Sequence, residues 1–138
     1  PSYRMSDELR AQQAIRKFLN EDRVLSQRWD ALLVSGRREQ MSFEQLAGAI
    51  DTRITAEYQE NFEELSELRL GPAAPSAATL DVLRKYATLR GDASHAMAEG
   101  LRSKDPDKIR KAIETARQAP LMARGVAVPA SAASASRP

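Results

Sequence analysis

Apolar residues recur at steps of three and four along most of this chain, the spacing that gathers side chains on one face of an α-helix. The stretch from Ser42 to Gly71 shows it most clearly: Phe43, Leu46, Ala47, Ile50, Ile54, Tyr58, Phe62, Leu65 and Leu68 form one stripe. Its start is marked three times over. Ser42 and Gln45 stand at capping-box spacing, and Met41 and Leu46 occupy the N′ and N4 positions of a hydrophobic staple. At the far end Arg69 suits the negative pole of the helix, Gly71 can adopt a left-handed conformation, and Pro72 cannot continue. The pattern predicts one uninterrupted helix of roughly 40 Å. A single stripe of that length has to be covered by other helices.

Those helices are written on either side of it. A first helix is predicted from an N-cap at Ser6, with Asp7 and Glu8 in its opening turn and an end near Ser35 and Gly36. Its seam reads Ala11, Ile15, Phe18, Asp22, Leu25, Trp29, Leu32, in the alternating steps of coiled-coil packing. Asp22 interrupts that seam, and a carboxylate there either tilts to the rim, the preferred reading, or pairs with an arginine from another helix. Trp29 reads as a core anchor. The short link Arg37 to Gln40 makes the first two helices an antiparallel hairpin. After a Pro/Ala/Ser loop over residues 72–78, a third helix starts near Ser76 or Thr79 and turns Val82, Leu83, Tyr86, Leu89, Ala93, Met97 and Leu101 inward. Its segment 91–100 is nearly all small residues, which either admits a neighbour closely or is weakly held. Asp105 and Pro106 open a short fourth helix with Ile109, Ala112, Ile113 and Ala116 inward, and Pro120 closes it. The fold expected is an all-α antiparallel bundle of three long helices and one short one over residues 1–120. An Ala/Ser/Pro-rich flexible tail follows over 121–138, where Val126 and Val128 alternate as in a docking strand but a linker is the simpler reading.

Composition narrows this picture in two ways. With 138 residues, 42% of them apolar, one domain can bury a core without a disulfide or metal, and with only 5% aromatics that core is mostly aliphatic. No apolar run approaches the ~18 residues that span a bilayer, so the sequence reads as soluble. A chain beginning at Pro1 reads as either a processed or a recombinantly trimmed form. Separately, a periplasmic or cell-envelope setting is expected, with the cytoplasm as the alternative. The net charge of +2 hides a division: by the sequence, residues 40–79 sum to −5 and residues 80–138 to +5. The central acidic helix is expected to lie beside basic ones in the same bundle. Lys104, Lys108, Arg110 and Lys111 form a candidate basic surface for phosphate or nucleic acid, without the interleaved aromatics that base reading uses.

Chemistry is mostly excluded. There is no Cys, and His95 is the single histidine, which removes thiolate catalysis and Cys-ligated metals and leaves any triad to one residue. Asp92 and His95 stand three apart, but a carboxylate-bridged metal bundle needs two Glu-x-x-His helices. His95 with Met5, Met41, Met97 or Met122 is arithmetically open to haem, and a rim position beside Asp92 is the preferred reading. Glu57, Glu60, Glu63, Glu64 and Glu67 spread over more than one helix face and read as a solvated surface. Arg90, Gly91, Asp92 spell an integrin-binding tripeptide inside a predicted helix and are read as chance. No catalytic, cofactor-binding or metal-ligating residue is therefore assigned, and no cofactor is expected. The leading function is a non-catalytic interaction or scaffold module with a protein partner or self-association. The alternatives are a bundle sensing a small ligand at the small-residue stretch, or a weak binder of nucleic acid or anionic surfaces; specific nucleic-acid recognition is not expected.

Overall fold

Helical periodicity is realised along nearly the whole described chain, which in this computed structural model comprises residues 3–38 and 40–124. The elements are α1 (Met5–Arg37), α2 (Phe43–Ile50), a π-helical turn (Asp51–Thr55), α3 (Ala56–Glu67), α4 (Ala77–Ser103) and α5 (Pro106–Met122). Because α2, the π turn and α3 follow one another without a break, they act as one rod beside α1, α4 and α5. The architecture is the all-α bundle that the periodicity predicts, with no strand among the described residues.

Polar contacts fix the direction of the first hairpin. Lys17 meets Glu64 at 3.0 Å, Asp22 meets Tyr58 at 2.6 Å, and Arg28 meets the Arg53 carbonyl at 2.8 Å, so α1 rises as the rod descends. The α1 seam is buried at every position but Asp22, and Trp29 is 3% exposed, as a core anchor should be. Tyr58, Leu83 and Met97 meet it in the same core. The small-residue segment of α4 serves close approach: a Cβ on Gly100 would stand 3.1 Å from the backbone nitrogen of Ile109, so any other residue there would have to push α5 back by a few tenths of an ångström.

The observed elements depart from the expected ones at several points. The rod is not uniformly α-helical: a π turn spans Asp51–Thr55, where Thr52 bonds back to the Gly48 carbonyl at 2.9 Å. It ends at Glu67 rather than near Gly71, since Leu68 turns extended and Arg84 of α4 takes up the carbonyls of Leu65 (2.9 Å) and Leu68 (2.6 Å). α1 starts one residue before Ser6, on an Arg4 N-cap without a side-chain bond, while Glu8 reaches across to α4. α5 runs through Pro120, the residue expected to close it, and ends at Met122. Proline lacks the amide that would bond the Ala116 carbonyl, and the Arg90 guanidinium supplies that bond at 3.1 Å. Leu121 and Met122 are exposed, and Val126 and Val128 lie outside the described residues. Phe43 and Phe62, which the periodicity places on the buried stripe, are 47% and 37% exposed.

Candidate functional site

Besides the buried Glu8 carboxylate, which Gln12 and Ser76 bond, three places bring polar chemistry together, and the innermost is built around Asp22. Tyr86 and Arg90 lie one turn apart on α4, and Asp22, Ser26 and Trp29 lie along the facing side of α1. Asp22, half-buried, accepts from the Tyr58 hydroxyl at 2.6 Å and from the Tyr86 hydroxyl at 3.0 and 2.8 Å. Buried Arg90 donates to the Tyr58 hydroxyl (3.1 Å), to Ser26 (3.0 Å) and to the Ala116 carbonyl (3.1 Å). Its guanidinium also lies 4.8 Å from the centre of the Trp29 ring. The expectation for Asp22 is therefore corrected: two tyrosines meet it, and the arginine stands one hydroxyl further away. Burial pushes both phenols above their ordinary pKa of 10.0, Arg90 pulls them back and the Asp22 charge adds to the rise, so they act here as protonated donors. Arg90 and Gly91 of the integrin-like tripeptide are both buried in this assembly.

The π turn builds the second place. Thr55 bonds Ser94 at 2.7 Å, and Asp51 meets His95 Nδ1 at 3.1 Å and Arg102 at 2.7 Å. His95 is exposed and faces Asp51, not the Asp92 beside which the spacing puts it. Asp51, His95 and Glu99 could offer ligand atoms within 4.8 Å of one another. Arg102 bonds both carboxylates, reaching Glu99 at 2.7 Å, and already supplies the positive charge that an ion would bring. Burial raises the Asp51 pKa, but the hydrogen bonds from His95 and Arg102 outweigh it and hold the carboxyl below its ordinary value.

The third place is an open groove of about 640 Å³ between the start of α2 and the outer flank of α5. Phe43 forms one wall, Pro106, Ile109 and Ile113 form the floor, and Lys104, Arg110, Glu114 and Arg117 stand around it. On α5 these residues fall at steps of three and four, one stripe of the helix surface. Lys104 takes a left-handed backbone, with φ of 53°, to end α4, and the following Asp105 caps α5 by accepting from the amides of Asp107 and Lys108 at 3.1 and 3.2 Å. Of the four basic residues assigned from the sequence, all exposed, Lys104 and Arg110 line this groove while Lys108 and Lys111 do not. Arg110 also bonds Asp107 at 2.7 Å. Phe43 and Arg117 were missed. Arg117 extends the Ile109/Ile113 row by one turn, a signal the α5 sequence does contain, whereas Phe43 carries the same periodic mark as a core residue.

No family model, curated protein or solved structure matches this chain. In two of the three places the polar groups are bound to one another within the chain; the groove is the one that presents apolar surface outward.

Proposed function

We propose that this chain is a non-catalytic helical interaction module that docks a protein partner in the groove between Phe43 and α5. One observation carries the reading. Phe43, 47% exposed at the first turn of a well-capped helix, stands across an open cavity from the half-buried Ile109 and Ile113. Apolar surface left in water forgoes about 25 cal/mol per Å², and a contiguous apolar patch rimmed by charge is the usual mark of an interaction surface. Three cations at the edge, Lys104, Arg110 and Arg117, outnumber the one carboxylate, Glu114, and favour a partner that carries an apolar ridge flanked by carboxylates. The ridge then supplies affinity, and the charges supply orientation and association rate. Mutual bonding of Asp22, Tyr58, Tyr86 and Arg90 in the interior supports a role in holding the helices in place rather than in chemistry.

A fluorescently labelled amphipathic helical peptide with Leu and Phe anchors and Glu flanks tests this by anisotropy. It should bind saturably, and Phe43→Ser or Ile113→Asp should weaken it at least about tenfold. A Lys-flanked peptide should not bind. Equal binding by the Phe43→Ser variant would sink the reading. If the basic residues serve nucleic acid instead, an oligonucleotide will bind and the Phe43→Ser change will leave its affinity unaltered. An envelope setting goes with the proposal too, and cell fractionation against a cytoplasmic marker checks it; no helix among the described residues is long and apolar enough to cross a membrane.

A further inference from the structure

We infer that the partner docking in this groove is a second copy of the chain, entering with the face it presents between α3 and α4. The inference rests on the groove being an interaction surface, and adds who occupies it. On that second face lies a pocket of about 350 Å³ with Tyr58, Phe62, Ala87 and Gly91 on its apolar side and Glu63 and Asp92 at its edge. Phe62 is 37% exposed there, and Glu60, Glu63 and Glu67 are exposed along the same helix. The two faces are opposites in charge and alike in character. Each has one exposed phenylalanine beside an apolar hollow; one is rimmed by three cations, Lys104, Arg110 and Arg117, against the single carboxylate of Glu114, the other by Glu63 and Asp92.

Charge complementarity between the two faces is not used up inside one copy. Among the described residues no ion pair joins α3 to α5, and Glu63, Asp92, Lys104 and Arg117 are in none, while Arg110 is already paired with Asp107 of its own helix. What stands at the surface is local: Glu63 and Asp92 at the edge of one hollow, and Lys104 and Arg117 beside the other. A Phe43 side chain fits a hollow of 350 Å³, and seating it there brings the basic rim of one copy to the acidic edge of the next. Because groove and pocket are different surfaces, the contact is heterologous. It closes if both contacts form about one axis and propagates if they do not. Two patches of this size bury less than a standard interface of about 1,600 Å². Association in the micromolar range or weaker is expected, and salt should weaken it.

Sedimentation velocity on the full chain, from micromolar to near-millimolar concentration, reads this directly. Association should appear at about 0.05 M salt and fall at least about tenfold in affinity at about 0.5 M. Two charge-reversed chains then identify the surfaces: Glu63→Lys with Asp92→Lys, and Lys104→Glu with Arg110→Glu and Arg117→Glu. Every one of these residues is exposed or half-buried in solvent, so unchanged far-UV circular dichroism is expected for both. Neither should associate alone, because each carries two like-charged faces. An equimolar mixture should associate again. A mixture that stays monomeric while wild type associates would overturn the assignment of faces. If wild type is monomeric throughout but still binds the Glu-flanked peptide, self-pairing is wrong and the docking groove stands. If it binds neither itself nor the peptide, both fall.

Discussion

The starts of α2 and α5 and the far ends of α3 and α5 face the same difficulty, backbone groups without a partner in their own helix, and meet it by opposite means. At Ser42 the amide of Gln45 and the amide of Ser42 are satisfied by side chains within the same turn, at 3.1 and 2.9 Å. Asp105 does the same for α5. At the other ends the partner comes from across the bundle. Arg84 holds the last carbonyls of α3, and Arg90 replaces the amide that Pro120 lacks. The start of α4 also belongs to this second kind. Ser76 precedes α4 without capping it by its own side chain; instead its amide and hydroxyl bond the buried Glu8 carboxylate of α1 at 2.9 and 2.6 Å. Locally capped ends can form before the helices meet. Remotely capped ends form only when they have met, so they couple helix length to assembly of the bundle.

That contrast can be broken by mutation. Arg90→Met should have the largest effect, about 3 to 5 kcal/mol in urea denaturation, because it leaves the Asp22 and Tyr58 cluster without its buried cation and the Ala116 carbonyl unpaired. In a Pro120→Ala background the carbonyl regains a main-chain donor, and the cost of Arg90→Met should shrink by about 1 kcal/mol. Absence of that coupling would mean that Pro120 and Arg90 are independent. Glu8→Gln comes next, at about 2 kcal/mol near neutral pH.

Glu8 also sets a pH dependence. Burial raises its pKa, but hydrogen bonds from the Ser76 side chain and backbone and from Gln12 outweigh this and hold it below the ordinary 4.5. The folded state then binds fewer protons than the unfolded chain in this range. The stabilisation is fully present above pH 4.5 and is lost as pH falls through the lower folded value. Urea midpoints measured downward from neutral pH should show a flatter acid limb in Glu8→Gln. Asp51, lowered in the same direction from 3.8, supplies part of the slope that persists.

Arg84→Ala is smaller, at about 1 to 2 kcal/mol, and its signature is positional. Amide exchange should quicken over the last turn of α3 while the α2 start is unchanged. Ser42→Ala is the smallest, about 1 kcal/mol, with fraying confined to the first turn of α2. If Ser42→Ala instead loosened α4 as Arg84→Ala loosens α3, the distinction between local and remote caps would fail.

The candidate site was partly legible for the same reason. Lys104 and Arg110 were marked by charge alone, and charge alone also marked Lys108 and Lys111, which stand outside the groove. Phe43 fits the helical period as well as Ile50 does, yet Ile50 is fully covered and Phe43 is not. Periodicity says which face a residue shares; it does not say whether a neighbouring helix reaches that far along the rod. The small-residue stretch of α4 left two outcomes open from sequence, and the packing of Gly100 on Ile109 and of Thr55 on Ser94 chose close approach.

By itself the sequence determined the helical class, the α1 seam, the starts at Ser42 and Asp105 and the antiparallel hairpin, because each follows from signals that act within a turn or repeat with the helical period. Only the tertiary structure decided where α3 and α5 end, that two tyrosines meet Asp22, that His95 faces Asp51, and which phenylalanines stay in water. Each of these depends on a group distant in sequence arriving, or failing to arrive, beside the residue in question, and no spacing along the chain encodes that arrival.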